Sequence, residues 1–558
     1  MRSRLLILLI LSLISGSLCA QNPKWFKKAR KSQVTIIAYN AQDQMLQGQG
    51  IFLNEQGDVV AEYDILKGAV RATVIDCEGK EYQLTTVAGA NSLYNTVRCA
   101  TDSKKVSFPE MSQSLETGKM VYIMPVCSTD KKAVCITDTI AAIQEFDDAK
   151  YPYYTLSKSV DQRYAGCPVF NEEGELVGQI QMSAKGSDKP AYVLGVQYSA
   201  SLSITALDAN NSDLNTILIP KALPEDENQA ITFLYLMNKQ NPSQYEKQVK
   251  MFIEKYPKNT TGYIQLAELK FNQKEYKAAE EIFNNAMNSQ TQNEDELHHS
   301  FAKLLYQSGL QQTPVAEGWD MAHALKEAQA AYSCNPLPLY TALEGLCFYA
   351  LGKYEDAYDK FFSLKNTNMR SAEYFLYASQ CKEMLKAPAE EILALQDSAV
   401  NCFTKPYPAD AASYIYLRAK TLSKLEKFRE AVSDMNEFEH LNSGNVSAKF
   451  CYEREQMEMQ CRQFQNALND IERAVSLSPE EPLFRAEEAV VNYRVGQFKE
   501  AAEAARQAIR LEEGFADAHR ILGICLHEMG QNAEAKKSLQ RAIELGDEAS
   551  KKVLEQMK

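Results

Sequence analysis

The first 225 residues of this 558-residue chain contain no histidine; His298, His299, His323, His440, His519 and His527 all fall later. A region without imidazole has no ordinary general base near neutral pH, so a serine or thiol nucleophile there has nothing to take its proton. Thirteen cysteines are present but no C-x-x-C, which removes the signal for a redox dithiol or a zinc ribbon. No G-x-S-x-G elbow occurs either. Beyond the first twenty residues no apolar run approaches the roughly 18 needed to span a bilayer. Positive charge is also short, with 60 basic residues against 73 acidic for a net charge of -13, which argues against nucleic acid or anionic lipid as a partner.

What is present is 45% hydrophobic and 24% charged, the composition of a globular protein. The length suggests about three to four domains, fewer if one is a repeat array. Residues 1–20 have the layout of a signal peptide: Arg2 and Arg4, an apolar run from Leu5 to Ile14, then small and polar residues to Ala20. Cys19 invites a lipoprotein reading, which Leu18 disfavours because lipid-attachment sites want a small residue there. The expectation is an exported, soluble protein of the periplasm or exterior of a Gram-negative envelope. Cys127 and Cys135 flank Lys131 and Lys132 as the strands of a hairpin would, so a cross-strand bridge and two half-buried thiols both fit.

From residue 30 to 210 the pattern is of short apolar runs broken by turn residues. Val34 to Tyr39, Gly50 to Leu53, Val59 to Tyr63, Val70 to Ile75, Met120 to Met124, Val134 to Ile140 and Leu176 to Met182 read as strands, and their number points to a sandwich or barrel.

Three stretches in this region carry a resemblance. QRYAGCPVFNEEGELVGQI, from Gln162 to Ile180, is similar to the nucleophile segment of trypsin-like serine peptidases of the bacterial HtrA type, in which G-x-S-G-G-P precedes a strand and a hairpin. GQGIFLNEQGDVVAEYDILKGA, from Gly48 to Ala69, resembles the segment leading into that family's catalytic histidine. SLYNTVR, from Ser92 to Arg98, resembles the strand that holds its aspartate. The resemblance implies a trypsin-like double β-barrel over residues 30–210, with the triad degenerate: Asp64 in the histidine's place, Asn95 in the aspartate's and Ala165 in the serine's. Arg163 falls on the first oxyanion glycine. Cys167 lies on the turn after the nucleophile position, and Ser157 and Ser159 on the preceding strand, so none of the three replaces the serine.

Residues 211–226 turn polar around Pro220 and Pro224 and read as a linker. From 227 to 556 helical patterns follow one another with the 34-residue spacing of tetratricopeptide repeats: Ala467, Ala501 and Ala535 recur in one register, with Gly496, Phe498, Gly523 and Gly530 around them. Small residues there let two helices cross closely. About eight or nine units are expected, with Pro314 marking an insertion. The repeat resemblance implies an all-α solenoid whose groove positions would be Tyr416, Lys420, Tyr452, Gln456, Tyr493, Arg494, Arg520 and His527; tyrosine and arginine are common recognition anchors. His527 and Glu528 do not open a zinc site, because Gln531 stands where a second histidine is needed.

The function expected is that of a non-catalytic exported scaffold or adaptor that binds proteins or peptides in the repeat groove, needs no cofactor or metal and carries a pseudo-protease domain. The alternatives are an active, divergent trypsin-like serine endopeptidase that recruits substrates through its repeats, and a structural envelope component.

Overall fold

The computed structural model describes residues 22–128, 133–146, 150–182, 190–238, 242–289, 291–311 and 315–557. The signal-like segment 1–20, Lys131, Lys132 and Pro314 lie outside them. The chain divides into two compact units, Met1–Asn293 and Glu294–Lys558.

Unit 1 contains two closed six-stranded barrels. The first is built from β1 (Gln33–Asn40), β2 (Met45–Phe52), β3 (Val59–Ala61), β4 (Ala69–Asp76), β5 (Glu81–Asn91) and β6 (Thr96–Thr101), in the order β1-β2-β3-β6-β5-β4. The second has β7 (Met120–Ile123), β8 (Ile136–Phe146), β9 (Tyr151–Leu156), β10 (Pro168–Phe170), β11 (Leu176–Gln181) and β12 (Tyr192–Gly195), in the order β10-β11-β12-β9-β8-β7. Neighbouring strands are antiparallel throughout. Alternation drives the closure: Val34, Ile36 and Ala38 of β1 point into the first barrel, and Tyr154 and Leu156 of β9 into the second. At Gly178 the strands approach so closely that a Cβ would lie 1.9 Å from Leu194 O. The double barrel implied by the peptidase resemblance is the fold the chain adopts.

Two expectations change here. Cys127 is disulfide-bonded to Cys77, not to Cys135. The β7–β8 register sets Ile123 opposite Ile136, which carries Cys135 towards Met124; its thiol is buried and 3.7 Å from Met124 Sδ. Residues 211–226 are also no free linker. Leu214, Ile217 and Ile219 are buried, and the backbone is stitched to the first barrel by Gly68 N to Thr216 O (2.9 Å), Leu218 N to Ala69 O (2.8 Å), Val87 N to Pro220 O (2.9 Å) and Ala222 N to Val87 O (2.8 Å). The polar composition hid an apolar alternation. This strap shares one core with the first barrel and with the helices that follow it, α1 (Glu227–Met237), α2 (Pro242–Lys255), α3 (Thr260–Asn272) and α4 (Tyr276–Asn288), through Phe233, Leu234, Tyr245 and Phe252.

Unit 2 is helical: α5 (Glu294–Gly309), α6 (Met321–Cys334), α7 (Pro338–Ala350), α8 (Tyr354–Ser363), α9 (Ala372–Met384), α10 (Ala389–Val400), α11 (Ala412–Lys424), α12 (Phe428–Leu441), α13 (Ala448–Gln460), α14 (Phe464–Leu477), α15 (Pro482–Arg494), α16 (Phe498–Leu511), α17 (Ala516–Glu528), α18 (Asn532–Glu544) and α19 (Ala549–Gln556). Ala467, Ala501 and Ala535 are fully buried, each in the first turn of the second helix of a pair. Each preceding turn needs one left-handed residue, supplied by Arg462 (φ 59°), Gly496 (φ 82°) and Gly530 (φ 78°).

Candidate functional site

The first candidate lies where the peptidase resemblance puts the triad. A one-turn helix, Tyr63–Leu66, follows β3 because Tyr63, Ile65 and Leu66 are buried, which leaves Asp64 exposed. Asp64 N–H donates to Asn95 Oδ1 at 3.0 Å, and Asn95 Nδ2 donates to Glu62 Oε1 at 3.3 Å. On the second barrel the turn at 162–166 closes through Tyr164 N to Asp161 O and Ala165 N to Gln162 O. Gly166 turns there with φ +69°, and a Cβ on it would lie 2.8 Å from Glu62 Oε2. Asp64, Asn95 and the turn bearing Ala165 are therefore gathered around one carboxylate. The strap holds both first-barrel pieces: Tyr63 OH is 2.5 Å from Thr216 Oγ1, and Ser92 N donates to Asp213 Oδ2 at 2.8 Å.

Glu62 is the residue that sequence reasoning missed. Its signal was a glutamate two positions before Asp64, at the end of an all-buried strand. Burial, and then the charge of Asp64, push its carboxyl from 4.5 up to about 7. It can therefore take or release a proton near neutral pH. Cys167 is fully buried, and its thiol is pushed up to about 12 by burial and then by Glu62, which leaves no thiolate for nucleophilic attack. Arg163 is exposed, with its guanidinium 5.0 Å from the Tyr164 ring. Ser157 is bound to Thr139 Oγ1 at 2.6 Å.

The second candidate is on the first helices of the pairs in unit 2. Lys420, Tyr452 and Gln456, with Lys424, Phe428 and Glu453, line a cavity of about 430 Å³ on α11, the start of α12 and α13. Tyr416 OH donates to Glu453, and Lys420 Nζ lies 3.6 Å from the same carboxylate, so four of the eight predicted groove residues come together. The others do not join them. Tyr493 packs its ring on Phe498 and Arg494 is exposed. Arg520 is held by Asp517 at 2.5 Å and Asp547 at 2.6 Å, and His527 Nδ1 is 2.7 Å from Asn532 Oδ1. The spacing also missed Glu455, buried on α13 in the register of Ala489 and Gly523.

The 34-residue register and the left-handed turns find their counterpart in a family model. Residues 492–551 match the tetratricopeptide repeat. Unit 2 carries tetratricopeptide repeats. An 84-residue stretch is 30% identical to human DnaJ homolog subfamily C member 7, covering 15% of this chain and 17% of that protein. Among solved structures, a serine endoprotease from Yersinia pestis aligns at 14% identity and TM-score 0.27, over 32% of this chain and 65% of its own. The HtrA-type protease AlgW, solved with a tripeptide, aligns at 12% identity and TM-score 0.27, over 31% and 59%. The chain thus spans less than two thirds of each of these proteins. Outside the tetratricopeptide segment the double-barrel assignment stands on strand order and closure. No described helix is long and apolar enough to cross a membrane.

Proposed function

We propose that the protein is an exported adaptor whose tetratricopeptide repeats bind other polypeptides and whose double barrel is a protease fold without protease chemistry. The observation that carries the reading is the cluster at Glu62. The positions aligned with a triad meet there, and the groups that hydrogen-bond within it are an aspartate backbone, an asparagine amide and a carboxylate. Acyl transfer needs a nucleophile, a base and an oxyanion cradle; alanine at 165 supplies no nucleophile, and Arg163 replaces a glycine of the cradle. Export is supported by the signal-like residues 1–20 and by the Cys77–Cys127 disulfide, a bond that persists in oxidising compartments.

The serine endopeptidase reading has one observation in its favour, the Glu62 carboxyl poised near neutral pH to serve as a base. A fluorophosphonate probe separates the two. Full-length protein is expected to remain unlabelled, and stoichiometric modification of a single serine would establish the enzyme. Partner binding is tested by pull-down from an envelope fraction with the full chain and its Tyr452→Ala variant. Loss of captured proteins in the variant is the expected result; unchanged capture would move recognition away from the α11–α13 surface.

A further inference from the structure

Two buried carboxyls on α13 have no lysine or arginine partner among the described residues. Glu455 on α13 stands where α15 has Ala489 and α17 has Gly523, at steps of 34 residues. It is 0% exposed and its Oε1 has no hydrogen-bond partner. Its Oε2 accepts from Gln456 Nε2 at 2.7 Å, and the Gln456 amide also serves Glu487 on α15, so that amide links Glu455 to the α15 side of the helix. One turn along, Glu458 is 3% exposed and its Oε2 is likewise unpartnered.

The cations nearby are committed elsewhere. Arg454 is taken by Asp470 at 2.5 Å and Glu439 at 2.6 Å, and Arg473 by Glu439. Arg520 draws on Glu487 from a distance but closes on Asp517 and Asp547. Among the described residues no lysine or arginine reaches ion-pair distance of Glu455, Glu458 or Glu487. Burial pushes Glu455 up to about 8 and raises Glu458 and Glu487 as well, so for each of them the neutral form is favoured over that of a free carboxyl in the absence of a cation.

We propose that the α13–α15 seam is a seat for a lysine or arginine side chain of a partner polypeptide, held by the half-buried Glu487 and the face of Tyr452, with the buried carboxylate of Glu455 behind them. This rests on reading the array as a polypeptide-binding surface. Tyr452 stands 5.4 Å from the Phe484 ring, which presents a fixed aromatic face to a cation and its aliphatic stem. A metal ion is a poorer occupant, because among the described residues no three acidic, histidine or cysteine side chains are placed to hold one. The arriving charge supplies what the buried carboxylates lack, so they ionise and binding releases protons.

The test selects binders to the full-length protein from a library of random dodecapeptides. Binders are expected to share a lysine or arginine. Replacing it with the uncharged acetyl-lysine or the near-isosteric, uncharged citrulline should weaken binding about tenfold or more in the native protein and have little effect in Glu487→Gln. Calorimetry in two buffers of different ionisation enthalpy should show proton release with the charged peptide and none with its neutral analogue. Glu455→Ala restores the small residue that the neighbouring repeats carry, so it should raise the unfolding midpoint while weakening the charged peptide. Binders indifferent to charge, or a charge preference that survives in both variants, would overturn the seat while leaving the adaptor reading standing. A library that yields no binder at all would overturn both.

Discussion

Glu62 shows how one side chain can register its surroundings. Its carboxyl titrates near 7 in the folded protein and near 4.5 in the unfolded chain, because burial and Asp64 disfavour the charged form. The native state therefore binds the extra proton between those values. Stability from this group is complete below about pH 4.5, falls as pH rises through the window, and is lost above about pH 7. The loss is at most about 3–4 kcal/mol, since each pKa unit is worth about 1.4 kcal/mol. Glu62→Gln keeps an acceptor for Asn95 and cannot ionise. Urea midpoints for unit 1 should converge for the two proteins near pH 4.5 and favour the variant at pH 8; parallel pH curves would mean that Glu62 is not held in this environment. The sequence offers only its place two residues before Asp64, because the raised pKa comes first from burial, to which the distant Asn95 and the Gly166 turn of the opposite barrel contribute by packing on the carboxylate, and only then from Asp64.

Among the elements, the repeat helices were legible and the strap was not. Ala467, Ala501 and Ala535 recur every 34 residues because each second helix must approach its partner at the same place, and all three are fully buried. Gly523 answers the same demand from the other helix: a Cβ there would lie 2.6 Å from Leu539 Cγ and 3.1 Å from Ala535 O. Gly523→Val should cost about 1–3 kcal/mol through overpacking, read as a lower thermal midpoint of unit 2; an unchanged midpoint would show that α17 and α18 can separate freely. The strap at 211–226 looked like a linker because its hydrophobic residues are few and two prolines interrupt it. Its order comes from backbone partners at Ala69 and Val87, far back in the chain. The long β5 was passed over for a related reason, since its buried positions Tyr82, Leu84 and Val87 are interleaved with exposed polar ones.

At the scale of the molecule, unit 1 is cross-linked between the turn after β4 and the segment after β7 by Cys77–Cys127, which closes 50 residues of chain. The loop-entropy argument assigns such a link about 4 kcal/mol. The Cys77→Ser/Cys127→Ser protein should unfold at markedly lower urea than the oxidised parent and match the parent under reducing conditions; equal stability in both redox states would remove the link from the account. Residue order alone carries the succession of the parts: a strand-rich region followed by helical repeats in a register of 34. Those features are local or periodic, and local pattern follows directly from residue order. Packing between distant segments decides that Cys127 pairs with Cys77, that residues 211–226 brace the first barrel, and that Glu62 and Glu455 are buried with raised pKa values. Each of these depends on which distant segments pack together and on how much water they exclude, quantities that no spacing along the chain encodes.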